Sequence, residues 1–458
     1  MNLSHDKSGL LQNFLGRLPE AAAGKLAQAV EMDRLMDGHG LPHDIILAGL
    51  RSSLRHSDQP SRTQTPLRLF CQPFEDLLVS GTHKDKQKAV IARASVVPVW
   101  TWLGSNLLPE ATQAFFRAAK ALILSGKLDE AHSRARQFWS LAGNAMREAL
   151  ASEAGVAAAK QRLAADEIAD AREMALLLLE GAEMVKIQEH LPKPLPHLTE
   201  DILWQLRESY DALIGRNPDV APFVAVVTMN RLQRPCEALR LPLMICRQTG
   251  DALISKTDMG LVGEILFARM DALKAAIMKT RHPLFEAETL LAQVGSFAEL
   301  SSAVVKEIEV RRDGEWGQRL LKDRAAISDV MEGFMDRAAK EFAAALPMQK
   351  GSGDFARASA ADKRAMGLNY ARLVAGTRNS AAAASFAAKQ RTAFEDISNH
   401  LRRYIEDAIR EIRGCDGESR ATVESQLQYC AELAAILFSA EEAELIRRRA
   451  RAAQSAAA

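Results

Sequence analysis

Residues 394–414 read FEDISNHLRRYIEDAIREIRG. The apolar positions Phe394, Ile397, Leu401, Ile405, Ala408 and Ile412 step by three or four, the spacing that lines up side chains on one face of an α-helix. Gly414 ends the stripe, Gly414 to Gly417 makes a turn, and Val423, Leu427, Cys430, Leu433 and Leu437 start a second stripe. Two amphipathic helices joined by a short glycine-containing turn pack antiparallel. Each has one apolar face, so the pair needs a third surface. The rest of the chain is the commoner source of such a surface, and a second copy of the protein is the other.

Proline placement extends this reading outward. All 16 prolines lie at or before Pro347, and 14 of them at or before Pro242. Proline removes a donor and clashes with the preceding turn, so it interrupts helix interiors. The good helix formers Ala, Leu, Glu, Arg, Lys and Gln dominate throughout,. Hairpin signals and alternating β-branched runs are nearly absent, Val90–Val99 being the closest to a strand. The fold class expected is all-α: a multi-helix bundle with broken, shorter helices in the N-terminal part and long antiparallel helices in the C-terminal part.

Three regions are expected: 1–191, a helical domain with an aromatic core; 198–347, a middle helical bundle; and 363–458, the C-terminal hairpin, standing alone or packed with the middle region as one domain. Between the first two, Leu191-Pro192-Lys193-Pro194-Leu195-Pro196 fits an extended connector or a tight corner between packed helices. Within region one, Glu153–His190 reads as a long helical stretch. Start signals stand at Thr199-Glu200-Asp201, at Asn217-Pro218-Asp219 and at His282-Pro283,. Met348–Asp362 reads as a polar loop, and Ser57–Pro66 as another.

Composition removes several functional classes. Against 59 Lys and Arg stand 58 Asp and Glu, a formal charge of +1 over 458 residues; phosphate-backbone binders carry a clear basic excess, so nucleic acid is not expected as the main partner. Five scattered cysteines, Cys71, Cys236, Cys246, Cys415 and Cys430, form no CxxC pair and read as reduced thiols of a cytoplasmic protein. Met1–Leu10 lacks the apolar core of a secretory signal, and the longest apolar runs, Ala221–Met229 and Ala431–Phe438, are too short to span a membrane. Abundant Ala, Arg and Leu with only 4 Tyr suggest a GC-rich bacterial gene.

A search for chemistry returns mostly negatives. No P-loop, GxGxxG, HExxH or GxSxG motif occurs. Glu-x-x-His, the signature of di-iron bundles, is missing, and Asp129-x-x-His132 is read as a surface pair. His39 and His43 flank Gly40-Leu41-Pro42 but make an incomplete metal site. No cofactor or metal is therefore expected. Gly126-Lys127-Leu128-Asp129-Glu130-Ala131 resembles the turn of a tetratricopeptide repeat over about a dozen residues. No copies follow at a period of about 34 residues, so it implies helix-hairpin packing rather than a repeat array.

Two groups remain. Trp100, Trp102, Phe115, Phe116, Phe138 and Trp139 hold three of the 5 tryptophans; core packing is the simpler reading, and a ligand pocket formed by Trp100, Trp102, His132 and Trp139 is the functional one. Near the end, Glu441, Glu442 and Glu444 precede Arg447, Arg448, Arg449 and Arg451. Helix-dipole and ion-pair effects account for that order; a contact for acidic protein or lipid is the functional reading. The leading expectation is a non-enzymatic cytoplasmic interaction or scaffold protein, with a protein partner or itself as partner through the C-terminal helices. The alternative is an α-helical enzyme or small-ligand binder with its site in the aromatic N-terminal domain.

Overall fold

The computed structural model describes residues 5–36, 41–54, 64–81, 86–312, 314–349, 352–355, 359–415 and 417–455. It is all-α, 76% helical, with 21 α-helices and only two-residue strands among the described residues. Asp37-Gly38, His39 and most of Ser57–Pro66 lie outside them. The chain divides into two compact units: Met1–Leu195 with Glu200–Gln233, and Pro196–Thr199 with Arg234–Ala458.

The first unit opens with α1 (His5–Leu15), α2 (Glu20–Leu35) and α3 (His43–Leu54). Leu15, Ala23, Val30, Ile46 and Leu50 give these three helices a small core of their own. Next come α4 (Pro66–Cys71), α5 (Arg93–Trp102), α6 (Pro109–Leu124), α7 (Leu128–Ala149), α8 (Glu153–Ala159), α9 (Ala165–Leu179), α10 (Gly181–His190), α11 (Glu200–Ile214) and α12 (Phe223–Arg231). The hub is α7, which buries Ala131, Ala135, Phe138, Trp139, Ala142, Gly143 and Met146 against α4, α6 and α9. Its entry depends on Gly126, whose φ of 75° lets the Lys127 N–H turn back to the Leu122 carbonyl at 2.9 Å,.

Several elements begin where a side chain intervenes. Thr65 caps α4, its hydroxyl accepting the Arg68 N–H at 3.2 Å,. Only the start of Val90–Val99 is extended: Ile91–Ala92 (β2) pairs in parallel with Leu78–Val79 (β1). Helix then takes over at Arg93, because buried Asp170 accepts the Ala92 N–H (3.1 Å) and the Ser95 hydroxyl (2.6 Å). Lys86 neutralises Asp170 at 3.0 Å. The stretch Glu153–His190 is three helices rather than one. Glu167 reaches back to the Ala164 N–H at 2.8 Å to start α9, and the chain restarts at Gly181, where an added Cβ would lie 2.8 Å from the Trp139 ring. Residues 191–195 form a packed corner. The Leu195 N–H donates to the Arg231 carbonyl (2.7 Å), the Gln233 N–H donates to the Leu195 carbonyl (2.9 Å), and buried Asp76 holds Lys193 (2.8 Å) and Arg231 (2.6 Å). The Asn217-Pro218-Asp219 signal belongs to a turn, and α12 starts only at Phe223.

The second unit holds α13 (Arg240–Cys246), α14 (Asp251–Ile254), α15 (Leu261–Lys279), α16 (Ala287–Glu307), α17 (Glu315–Ala345), α18 (Ala361–Gly376), α19 (Ala387–Glu411), α20 (Gly417–Leu437) and α21 (Ala440–Ser455). At 31 residues, α17 buries Trp316, Leu320, Ile327, Met331, Phe334, Met335, Ala338 and Phe342, a stripe of helical period that touches α15, α18 and α19 in turn,. The stripe of α19 packs on α17 and α20, and that of α20 on α18 and α21. The third surface for the C-terminal pair thus comes from the same chain. Within Met348–Asp362, Met348–Gln349 (β3) pairs antiparallel with Ser352–Gly353 (β4). Ser439 caps α21 through the Glu442 N–H at 3.2 Å.

Charges lace α15 to α17. Asp271 and Asp323 hold Lys274; Glu264 (2.9 Å) and Asp271 (2.5 Å) hold Arg319. The Trp316 Nε1–H donates to Glu264 at 2.7 Å. Gly263 lets the Trp316 ring lie against α15, since a Cβ there would stand 2.2 Å from ring carbons. Gly263→Ala is therefore expected to cost about 1–3 kcal/mol by overpacking, read as a lower urea midpoint at unchanged slope.

Acid sensitivity follows from two carboxylates of this unit. Burial pushes Glu237 up, but the Leu198 N–H, His197 and Arg240 outweigh it and hold the group below its ordinary 4.5. Burial likewise opposes, and Lys274 and Arg319 overcome it, at Asp271, held below its ordinary 3.8. Both stay ionised to lower pH folded than unfolded. Their stabilisation is complete above the ordinary values and is lost as pH falls through the folded ones. The urea midpoint is expected to drop between about pH 5 and about pH 3, and to drop less in Glu237→Gln.

Candidate functional site

The sequence-derived aromatic group assembles as core. Phe115 of α6 stacks on Phe138 of α7 at 4.3 Å between ring centroids. Trp100 sits 4.9 Å from Phe70, 5.9 Å from Phe138 and 6.3 Å from Phe115. Such tilted and edge contacts suit the ring quadrupoles. Trp102 and Trp139 are buried, and the Trp139 Nε1–H is satisfied by the Leu69 carbonyl at 3.0 Å. His132 stands two helical turns before Trp139 on α7, partly buried, and makes no hydrogen bond or ion pair with the described residues. The structure brings Trp100 into the ring cluster and buries Trp102 and Trp139 beside it, while His132 stays apart.

Beside this core, a groove of about 470 Å³ runs between α2 and α3 on one side and α4, α5 and α6 on the other. Leu35, Leu47, Leu67, Val96, Val97 and Phe116 line it. Val97 is 58% exposed and Phe116 41% exposed. Three arginines stand around the groove. Arg68 makes a two-pronged contact with Glu31 at 2.6 and 2.9 Å. Arg93 meets Glu75 at 3.1 Å, and Arg34 meets Asp44 at 3.0 Å. Cys71 borders the groove, but burial first and Glu75 second push its thiol far above the ordinary 9.0. The sequence reading missed this groove. Its walls come from residues up to 85 positions apart, Glu31 to Phe116, and no local spacing connects them.

Two further polar clusters pair their groups internally. A cavity of about 590 Å³ between α10 and α11 contains Glu183, Lys186, His190 and Arg216. Arg216 is held by Glu183 (3.2 Å) and Glu180 (3.8 Å), Lys186 by Glu183 (3.6 Å), and His190 Nδ1 by the Lys186 carbonyl (2.6 Å). In the second unit, Tyr370, His282 and Glu341 form a chain with spacings of 3.1 and 3.4 Å. Burial pushes the Tyr370 phenol up to about 12, and its hydroxyl is hydrogen-bonded to His282 Nδ1. The other ring nitrogen faces Glu341, and neither is left for a substrate. Among the described residues no group of three or more His, Cys, Asp or Glu side chains could hold a metal ion. His43 instead meets Asp33 at 2.8 Å; His39 lies outside the described residues.

The C-terminal arginines are ion-paired. Glu444 receives Arg447 (3.6 Å), Arg448 (3.5 Å) and Arg451 (2.8 Å). Arg449 forks onto Glu406 of α19 with both contacts at 2.8 Å. That bidentate pair ties α21 to α19. No helix among the described residues is long and apolar enough to cross a membrane. No family model, curated protein or solved structure matches the chain.

Adjacent phenylalanines separate core from groove. Phe115→Ala is expected to cost about 3–5 kcal/mol. Phe116→Ala, at the groove, should cost about 1 kcal/mol or less. Urea unfolding of the two variants checks the contrast.

Proposed function

We propose that this chain is a non-enzymatic cytoplasmic interaction protein whose working surface is the groove of the first unit. The observation that carries the reading is the exposure of Val97 and Phe116 inside a concave, arginine-flanked surface. Apolar side chains in a concavity are what a partner's anchors fill, and arginine is enriched at interface hot spots. The apolar stripes of α19 and α20 are covered within their own unit, which favours the groove over those helices as the contact.

The occupant is an amphipathic helix of a partner protein. Its apolar face lies on Val97 and Phe116, and its acidic flank meets Arg93 and Arg34. Each of these arginines makes one exposed carboxylate contact, worth about 0–1 kcal/mol, and such contacts exchange readily for a partner's acid. A small-ligand binder with its site beside the aromatic core is the second reading, favoured by the same groove.

Native mass spectrometry of the protein purified gently from its host tests the proposal. A defined protein complex is expected, lost in Phe116→Glu and Val97→Glu while helicity and melting stay unchanged. Complexes that survive both substitutions overturn the reading. So does a saturable turnover abolished by a point change in a defined cavity.

A further inference from the structure

The groove has a counterpart on the same unit. Of the 5 tryptophans, Trp102, Trp139 and Trp316 are buried and Trp100 packs among the rings of the core, but Trp204 on α11 is 57% exposed. Asp201, Trp204, Glu208 and Asp211 step by three, four and three, so they share one face of the helix, and all four are exposed. Ile214, 42% exposed, flanks that face. The opposite side of α11 buries Leu203, Leu206 and Leu213, and the helix packs on α10 and α12. One side thus fixes α11 in its own unit, while the other presents an indole among acids. Asp201 and Glu208 form no ion pair with the described residues. Asp211 meets Arg207 at 3.6 Å, and the Arg207 guanidinium stands 5.8 Å over the Trp204 ring. Tryptophan buries a large area when it docks and is enriched at interface hot spots.

Polarity and charge match this face to the groove. The groove has exposed apolar walls at Val97 and Phe116 and an arginine rim that includes Arg34 and Arg93. α11 offers the complement, an apolar anchor between carboxylates. Arg34 and Arg93 are held by exposed contacts to Asp44 and Glu75, which a second copy's carboxylates can replace. No α11 residue lines the groove of its own chain, and the two belong to one compact unit, so the match is met between copies. We propose, resting on the reading of the groove as a helix-binding surface, that α11 of a second copy occupies it. Trp204 then lies on Val97 and Phe116, and Glu208 and Asp211 meet Arg93 and Arg34. The giving face and the receiving groove are different patches. The contact is therefore head-to-tail, and it propagates into a ring or a filament.

Sedimentation velocity of the purified full chain over about 1–100 µM tests this. The chain is expected to self-associate, and the association should weaken as salt rises from about 0.05 to about 0.5 M. Trp204→Ala removes the anchor and leaves the groove. It should weaken association by about thirtyfold or more, the size of a hot-spot truncation. Phe116→Glu spoils the groove and leaves α11, and should have an effect of the same size. Both positions are exposed, so helicity and melting should stay unchanged. Mixed in equal amounts, the two variants are expected to pair and stop there, because one intact groove and one intact α11 remain between them. That restoration also shows that each variant is folded. A wild-type chain that stays monomeric overturns the proposal, as does assembly that either variant leaves intact, or a mixture that does not pair. A monomeric chain that still gives a host complex lost in Phe116→Glu overturns the choice of occupant alone, and the groove reading stands.

Discussion

Burial of one stripe along α17 sets the arrangement of the second unit. Trp316, Leu320, Ile327, Met331, Phe334, Ala338 and Phe342 recur over 31 residues, and their helical period leaves one line of contact for neighbours to share. α15 takes the beginning of that line through Trp316, whose indole fits only because position 263 carries no side chain. α18 and α19 take other parts of it, and α20 and α21 then cover what α18 and α19 leave open. Ion pairs between α15 and α17 fix the approach that the apolar contact favours. They bind Asp271 to Arg319, both partly exposed, and Lys274 to Asp323, which is buried.

The first unit is organised differently, around aromatic rings and two buried carboxylates. Asp170 holds the start of α5 through a backbone N–H and a hydroxyl, and Asp76 holds the corner at residues 191–195 through Lys193 and Arg231. Each is a charge taken out of water and compensated locally, as burial requires. The rings of Phe70, Trp100, Phe115 and Phe138 fill the space between these fixed points. Beside that cluster α5 and α6 carry the exposed Val97 and Phe116, in the groove that α2 and α3 also line.

Polar groups in this protein are mostly closed systems. The Tyr370–His282–Glu341 chain occupies both imidazole nitrogens, the α10–α11 cavity balances its own charges, and the C-terminal arginines share Glu444 and Glu406. Exceptions are Asp251 Oδ2, Asp323 Oδ2, Arg420 Nε and two guanidinium nitrogens of Arg364, buried atoms that meet no described partner.

The sequence by itself determined the helical class, the long proline-poor helices of the second half, and the faces that α19 and α20 bury. All of these are encoded in residues three to four positions apart, where helix geometry alone decides the outcome. It also marked the aromatic group, since large rings seek burial wherever the chain takes them. Tertiary structure decided the rest. Residues 153–190 break at Gly181 because the Trp139 ring presses there; the earlier break, where Glu167 reaches Ala164, is local. Leu191–Leu195 becomes a corner because Asp76, more than a hundred positions away, collects Lys193 and Arg231. The groove depends on which apolar side chains, Val97 and Phe116, are left uncovered. No local pattern records such an absence, because it exists only once every other contact in the folded chain has been made.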